Sequence, residues 1–182
     1  MTATISDKMD RLRELLTNSL KESPSPAERG VLVIYPPEHE LEFRQRLDDL
    51  LVTLQAQGVA HTVVDAEMLP FKCLDAEGLL EDAFRLEAEE PKELRQYLAV
   101  ELPRRLQREM VEAASTVPIG SAIFLKSAPA LFPWVKFADF LAGLPTGFSC
   151  RIIVPFPGHE HGAALNFLDH RDGFNYMARR IN

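Results

Sequence analysis

The spacing of apolar residues in the first twenty positions is typical of an amphipathic helix. Leucines and a methionine recur at helical intervals with charged residues between them: Met9, Leu12, Leu15, Leu16 and Leu20. We expect this helix within residues 1–22, beginning near Ser6, whose hydroxyl can cap it. The polar, proline-containing stretch at 23–29 is predicted to be a linker. The helix then packs on the following domain from outside, which we favour, or docks on another molecule.

Residues 30–182 are predicted to form a single α/β domain. The continuous aliphatic run at 30–35 is typical of a central strand that is covered on both faces. A helical pattern at 38–57 stops at Gly58, and a second strand is expected at 61–65. This β-α-β order predicts a parallel pair of strands joined by a right-handed crossover.

The rest of the chain alternates helical and strand patterns. These elements are helices at 75–88, 91–115 and 131–144, and strands at 121–126, 150–154, 163–168 and 174–181. Pro103 predicts a kink or two abutting helices near 101–103, because proline lacks an amide donor. The predicted fold is a three-layer α/β domain with a mainly parallel sheet and helices on both faces. It is a degenerate, nucleotide-binding-like fold with an added amino-terminal helix.

Composition narrows the classes of partner. The 182 residues are 46% hydrophobic, enough for a domain core, and the formal net charge of −7 disfavours nucleic acid and anionic lipid. No apolar run is long enough to span a membrane, and the first residues lack a signal-peptide profile, so we expect a cytoplasmic protein. Cys73 and Cys150 are expected to be buried free thiols.

The loop after the first strand is poorly suited to a phosphate. Pro36 and Pro37 have no amide hydrogen, and Glu38, Glu40 and Glu42 place negative charge where a phosphate would bind. We expect these acids to satisfy the amino terminus of the following helix themselves. The sequence therefore predicts neither nucleotide hydrolysis nor a cofactor.

Two other patterns allow different functions. His159 and His161, with Glu160 between them, could form part of a metal site, to which Asp169 or His170 would add a ligand. The alternative function is therefore a metal-dependent hydrolase centred on His159 and His161. Basic residues in the long helix could contact nucleic acid, but the glutamates among them favour a solvated, salt-bridged face: Arg95, Arg104, Arg105 and Arg108.

Apolar side chains surround the predicted helix at 131–144 almost completely. Such a helix is buried on both sides, either wholly in the core or partly beneath a partner that covers Phe132 and Trp134. Aromatic anchors dominate protein interfaces, so both accounts stay open.

Several segments together resemble a known family. They are Tyr35-Pro36-Pro37, Glu40-Leu41-Glu42-Phe43, Ile123-Phe124-Leu125, Leu131-Phe132-Pro133-Trp134, Val154-Pro155-Phe156-Pro157-Gly158 and Phe174-Asn175-Tyr176-Met177-Ala178-Arg179. The pattern is similar to BrxB, the small component of BREX bacteriophage-exclusion systems. It extends over most of the chain after residue 29 and is strongest from Ser121 onward.

The resemblance implies a non-enzymatic α/β scaffold or adaptor in a defence assembly, with no family active site to carry over. Its expected partners are a PglZ-type, alkaline-phosphatase-like protein and other BREX components, so that nucleic acid is contacted only through the assembly. We predict that aromatic side chains form the partner contact: Phe132, Trp134, Phe137, Phe156 and Tyr176. No catalytic residue, metal or membrane contact is expected.

Overall fold

The computed structural model describes residues 3–18, 25–161, 164–167, 170–171 and 178–182 and has the predicted three-layer α/β fold. The helices are α1 Ile5–Thr17, α2 Pro26–Arg29, α3 Glu40–Ala56, α4 Leu69–Ala76, α5 Leu80–Glu89, α6 Pro91–Ser115 and α7 Phe137–Ala142. The strands are β1 Gly30–Tyr35, β2 His61–Asp65, β3 Ala122–Lys126, β4 Arg151–His161, β5 Ala164–Phe167, β6 His170–Arg171 and β7 Arg179–Ile181.

The main sheet is parallel, with the strand order β2-β3-β4-β1-β7. The expectation that β1 and β2 form a pair is therefore wrong, because β3 and β4 lie between them. The apolar core of β4, Ile152 to Val154, is fully buried and suits the place beside β1, whereas β2 includes His61 and Thr62 and forms an edge. A crossover places two strands in one sheet, but it does not determine which strands become neighbours.

Side chains alternate between the two faces of β1. Val31 and Val33 pack with α1 and α3 on one face, while Leu32 and Ile34 pack on the other face against the layer that contains α6. This double burial explains the continuous apolar run, and it confirms β1 as a central strand.

The leading helix α1 packs into the first of these cores. Leu12 is completely buried there, so α1 packs on its own domain, as favoured above. Thr4, rather than Ser6, caps the helix, and the Asp7 side chain bonds back to the Thr4 amide in a capping box. Within the predicted linker, residues 26–29 form the short helix α2.

The middle of the chain differs from prediction in its helix boundaries. α4 and α5 replace the single helix expected at 75–88, since Gly78 separates them with a positive φ of 68°. α6 continues through Pro103 as one helix, so the alternative of two abutting helices is wrong.

The helix expected at 131–144 is wrong over its first half. Residues Ala128–Leu131 form a 3-10 turn, Phe132 is extended with ψ 139°, and α7 begins only at Phe137. The residue before a proline is disfavoured in the helical region, so Pro133 keeps Phe132 extended. A helix with apolar residues on all sides is therefore absent at this position.

β4 is longer than the strand predicted at 150–154. It continues to His161 and forms an antiparallel hairpin with β5. β3 pairs with β4 only from Arg151 to Ile153, so β4 is an edge on that side beyond Ile153. Edge positions tolerate proline, which explains how Pro155 and Pro157 fit into a strand.

Both cysteines are buried and free, as predicted, and burial raises the pKa of each thiol. Among the described residues, no helix combines the length and apolar character needed to cross a membrane.

Candidate functional site

The carboxyl ends of the parallel strands form the edge where α/β proteins usually bind ligands. At the end of β1, the Tyr35 hydroxyl donates a hydrogen bond to Glu40, and the Arg44 guanidinium donates to the same carboxylate at 2.6 Å. The Tyr35 ring stacks on Phe43 with ring centroids 3.8 Å apart. Burial, together with the bond to Glu40, raises the pKa of Tyr35.

The acids lie in the first turns of the 3-10 turn and of α3, as expected, and Glu40 has a further role. Neither the 3-10 turn Pro37–His39 nor α3 has a side-chain cap hydrogen bond. The Glu40 carboxylate instead bonds to the side chains of Tyr35 and Arg44. Side-chain hydrogen bonds, rather than bonds from helix amides to carboxylates, therefore connect the end of β1 to the first turn of α3.

One cavity of about 240 Å³ lies beside this loop, at the ends of β1, β2 and β3. Lys126 forms an ion pair with Asp48 at 2.8 Å, and Asp65 accepts a hydrogen bond from the Glu67 amide at 3.0 Å. Both cations in its wall, Arg44 and Lys126, thus have an acidic partner. This cavity offers no free cation to a ligand within the described structure.

A second cavity, of about 460 Å³, lies on the other side of Tyr35. It is open to solvent and is lined by α1, the end of β1, the extension of β4 and the residue after β7, and Lys8 and His159 lie in its wall. Lys8 is only 3% exposed, although it is a lysine. Burial lowers the pKa of its ammonium group, and nearby Arg11 lowers it further.

The histidine motif lies on a strand rather than on a loop. His159 faces Asn166 across the β4–β5 hairpin, and Glu160 accepts hydrogen bonds from Arg180, at 3.4 Å, and from Asn182. The side chains of His161, Asp169 and His170 lie outside the described part of the chain. Within that part, no three His, Cys, Asp or Glu residues group to hold a metal, and the hydrolase hypothesis stays a prediction.

The predicted partner-binding aromatics have different environments. Phe132 and Trp134 are half-buried against the core, and the Trp134 indole N–H is enclosed without an acceptor among the described residues. Phe137 and Phe156 are buried, so their side chains offer almost no surface to a partner. Tyr176 lies outside the described residues.

The arginines of α6 include intrahelical ion pairs. Arg104 pairs with Glu101 at 2.7 Å and Arg105 with Glu109 at 2.9 Å, as expected of a salt-bridged helix face.

Sequence reasoning missed Lys8, although a signal was present. Lys8 follows Ile5 by three positions and precedes Leu12 by four, so it falls within the apolar stripe of α1. A charged residue in such a stripe indicates a buried cation that needs an explanation. Among the exposed large apolar residues, sequence reasoning also missed Met68, Phe71 and Phe84, which lie at or near α4 and α5.

Comparison with protein-family models, with curated proteins and with solved structures finds no match to this chain.

Proposed function

We propose that the protein is a non-enzymatic, cytoplasmic component of a BREX-type phage-defence assembly that binds a PglZ-type, alkaline-phosphatase-like protein. The family and the partner are inferred from the resemblance to BrxB in residues 30–182. The contact surface is inferred from exposed apolar side chains.

The observation that carries the binding function is the exposure of large apolar side chains at α4 and α5. Phe84 is 75% exposed, Met68 54% and Phe71 45%, and the two helices pack against each other and against α6. Because α4 and α5 pack together, we infer that these three side chains form one apolar patch, and such patches commonly mark a surface that a partner covers. We name Met68, Phe71 and Phe84 the α4–α5 surface.

The α4–α5 surface extends the contact predicted from sequence. Phe132 and Trp134 stay candidates, since both retain part of their surface. Phe84 is the better residue to test, because an exposed side chain can be replaced without opening the core.

The test is binding of a PglZ-type protein from the same genome, measured by calorimetry. We expect Phe84→Ser to weaken binding about tenfold or more, since truncating an interface aromatic residue costs roughly 2 kcal/mol. Ile119→Ser is the matched control, because Ile119 is also 75% exposed but lies in the loop just before β3, outside α4 and α5.

Equal loss of binding in both variants, or no loss in either, would contradict the proposed surface. Absence of any complex with the wild-type protein would contradict the partner. Hydrolysis of ATP or of a phosphodiester by the purified protein, abolished by His161→Ala, would replace the scaffold with the metal-dependent hydrolase.

A further inference from the structure

Lys8 is a buried cation with no hydrogen bond or ion pair among the described residues, although the carboxylates of Glu160 and Asp7 interact with it electrostatically at longer range. Its side chain extends from the first turns of α1, and the residue is 3% exposed. Within the described chain its ammonium group makes neither a hydrogen bond nor an ion pair. Lysine is rarely buried unless it is paired, because removing an ammonium group from water is costly.

The other charged groups around the cavity are already engaged. Arg11 donates a hydrogen bond to the main-chain oxygen of Asn182 at 2.7 Å, and Glu160 accepts from Arg180 and Asn182. Of the charged residues in the wall, Lys8 is thus the one whose N–H donors have no acceptor among the described residues.

The cavity has the position and size of a ligand site. It lies at the carboxyl edge of the sheet, at the ends of β1 and β7 and beside the extension of β4. Its volume of about 460 Å³ falls within the range of small-molecule pockets. Ala3, Ile34 and Pro36 add apolar surface to its wall.

We propose that this cavity binds a small organic monocarboxylate, whose carboxylate group forms an ion pair with Lys8. A carboxylate would supply the hydrogen-bond acceptor that Lys8 lacks among the described residues. Glu160 lies in the same wall and repels a second negative charge, which favours a monoanion over a dianion such as phosphate. This site goes beyond the proposed protein-binding function and does not depend on it.

The test is a titration of the isotopically labelled full chain, followed by the amide NMR signals of Lys8 and His159. The probes are sodium acetate, sodium benzoate and sodium phosphate, each at constant ionic strength against chloride. We expect acetate to bind weakly, benzoate more tightly because it fills more of the cavity, and phosphate least.

Lys8→Met is the diagnostic variant, since methionine keeps the unbranched side chain and removes the charge. We expect it to weaken benzoate binding about tenfold or more, as is typical for loss of a charge-assisted hydrogen bond. Lys72→Met is the matched control, because Lys72 is an exposed lysine on α4, and it should bind benzoate as the wild type does.

Three results would overturn the proposal. They are unchanged benzoate affinity in Lys8→Met, tighter binding of phosphate than of acetate, and no response to any probe in the wild type. Circular dichroism of each variant confirms that the compared proteins are folded. A second variant, Glu160→Gln, should increase phosphate affinity more than acetate affinity, and the reverse order would also count against the site.

Discussion

Lys8 and Arg151 are both buried cations, but their surroundings are opposite. The Arg151 guanidinium donates to the main-chain oxygens of Leu15, at 2.7 Å, and Asn18, at 2.8 Å. Lys8 has no such acceptor among the described residues and lies in the wall of a cavity. Burial by itself does not distinguish a cation that stabilises the fold from one that could bind a ligand. The hydrogen-bond acceptors around the cation do, because a cation whose donors are already bonded has none left for a ligand.

Lys8→Met should change how stability depends on pH. Because burial and Arg11 lower the pKa of Lys8, the unfolded chain holds this proton more tightly than the folded one. The free energy of unfolding of the wild type, relative to Lys8→Met, should therefore rise with pH. This rise should occur over the pH range between the lowered pKa of Lys8 in the folded protein and the ordinary lysine pKa of about 10.4. Urea unfolding of both proteins in chloride buffers measures this difference.

Tyr35 is present in both proteins, so its contribution cancels in the difference between the free energies of unfolding of the wild type and Lys8→Met. This matters because the raised pKa of Tyr35 makes stability fall, rather than rise, with pH. Its stabilising contribution is present below the ordinary tyrosine pKa of about 10 and is lost as pH rises above it. Lys72→Met should show no pH-dependent difference from the wild type. A wild-type advantage that falls with pH would contradict the buried, unpaired state of Lys8.

At the scale of single elements, α1 is held at both ends. Its amino terminus has the Thr4–Asp7 capping box, and its carboxyl terminus is bonded to Arg151 at the start of β4. A cation at a helix carboxyl terminus also interacts favourably with the helix dipole. The Arg151 bonds fix α1 against the sheet and thereby help to place Lys8 in the cavity wall.

Arg151→Leu should destabilise the protein by about 3 kcal/mol, since it leaves two carbonyl groups without their charged donor. Arg13→Leu is the control, because the Arg13 side chain is 43% exposed and its ion pair with Asp10 lies within α1. That variant should change the free energy of unfolding by less than about 0.5 kcal/mol. Equal effects in urea unfolding would show that the Arg151 bonds do not anchor α1.

At the scale of the whole molecule, the sheet separates two cores, and α1 belongs to one of them. The core that contains α1 also includes Val31, Phe43 and Phe124, from β1, α3 and β3. We therefore expect α1 to unfold together with the domain, instead of detaching first.

Leu12→Ala should lower the free energy of unfolding by about 2–5 kcal/mol, because Leu12 is completely buried and its loss leaves a cavity. Leu41→Ala is the control, since Leu41 also lies on a helix but is 71% exposed, and its effect should stay within about 0.5 kcal/mol. Thermal unfolding detects both. If Leu12→Ala leaves the main transition unchanged, α1 is a detachable appendage.

Local patterns predicted several elements correctly because their physics is local. The apolar run of β1 requires burial on both faces, and the recurring leucines of α6 require one buried face, whatever the neighbours are. The first helix and the three-layer α/β class follow from the same periodicity. The sequence even contained the signal for the Lys8 site, a charge within an apolar stripe.

The tertiary structure alone decided the strand order, the position of the cavity and the state of each charge. β4 lies beside β1 because the order of the strands depends on how much apolar surface the whole sheet buries, and not on any one strand alone. Glu40 bonds to the side chains of Tyr35 and Arg44, and Lys8 has no hydrogen bond among the described residues. Both outcomes depend on atoms that lie across the loop or far away in the chain. Periodicity determines which residues must be buried, but only packing determines what they meet there.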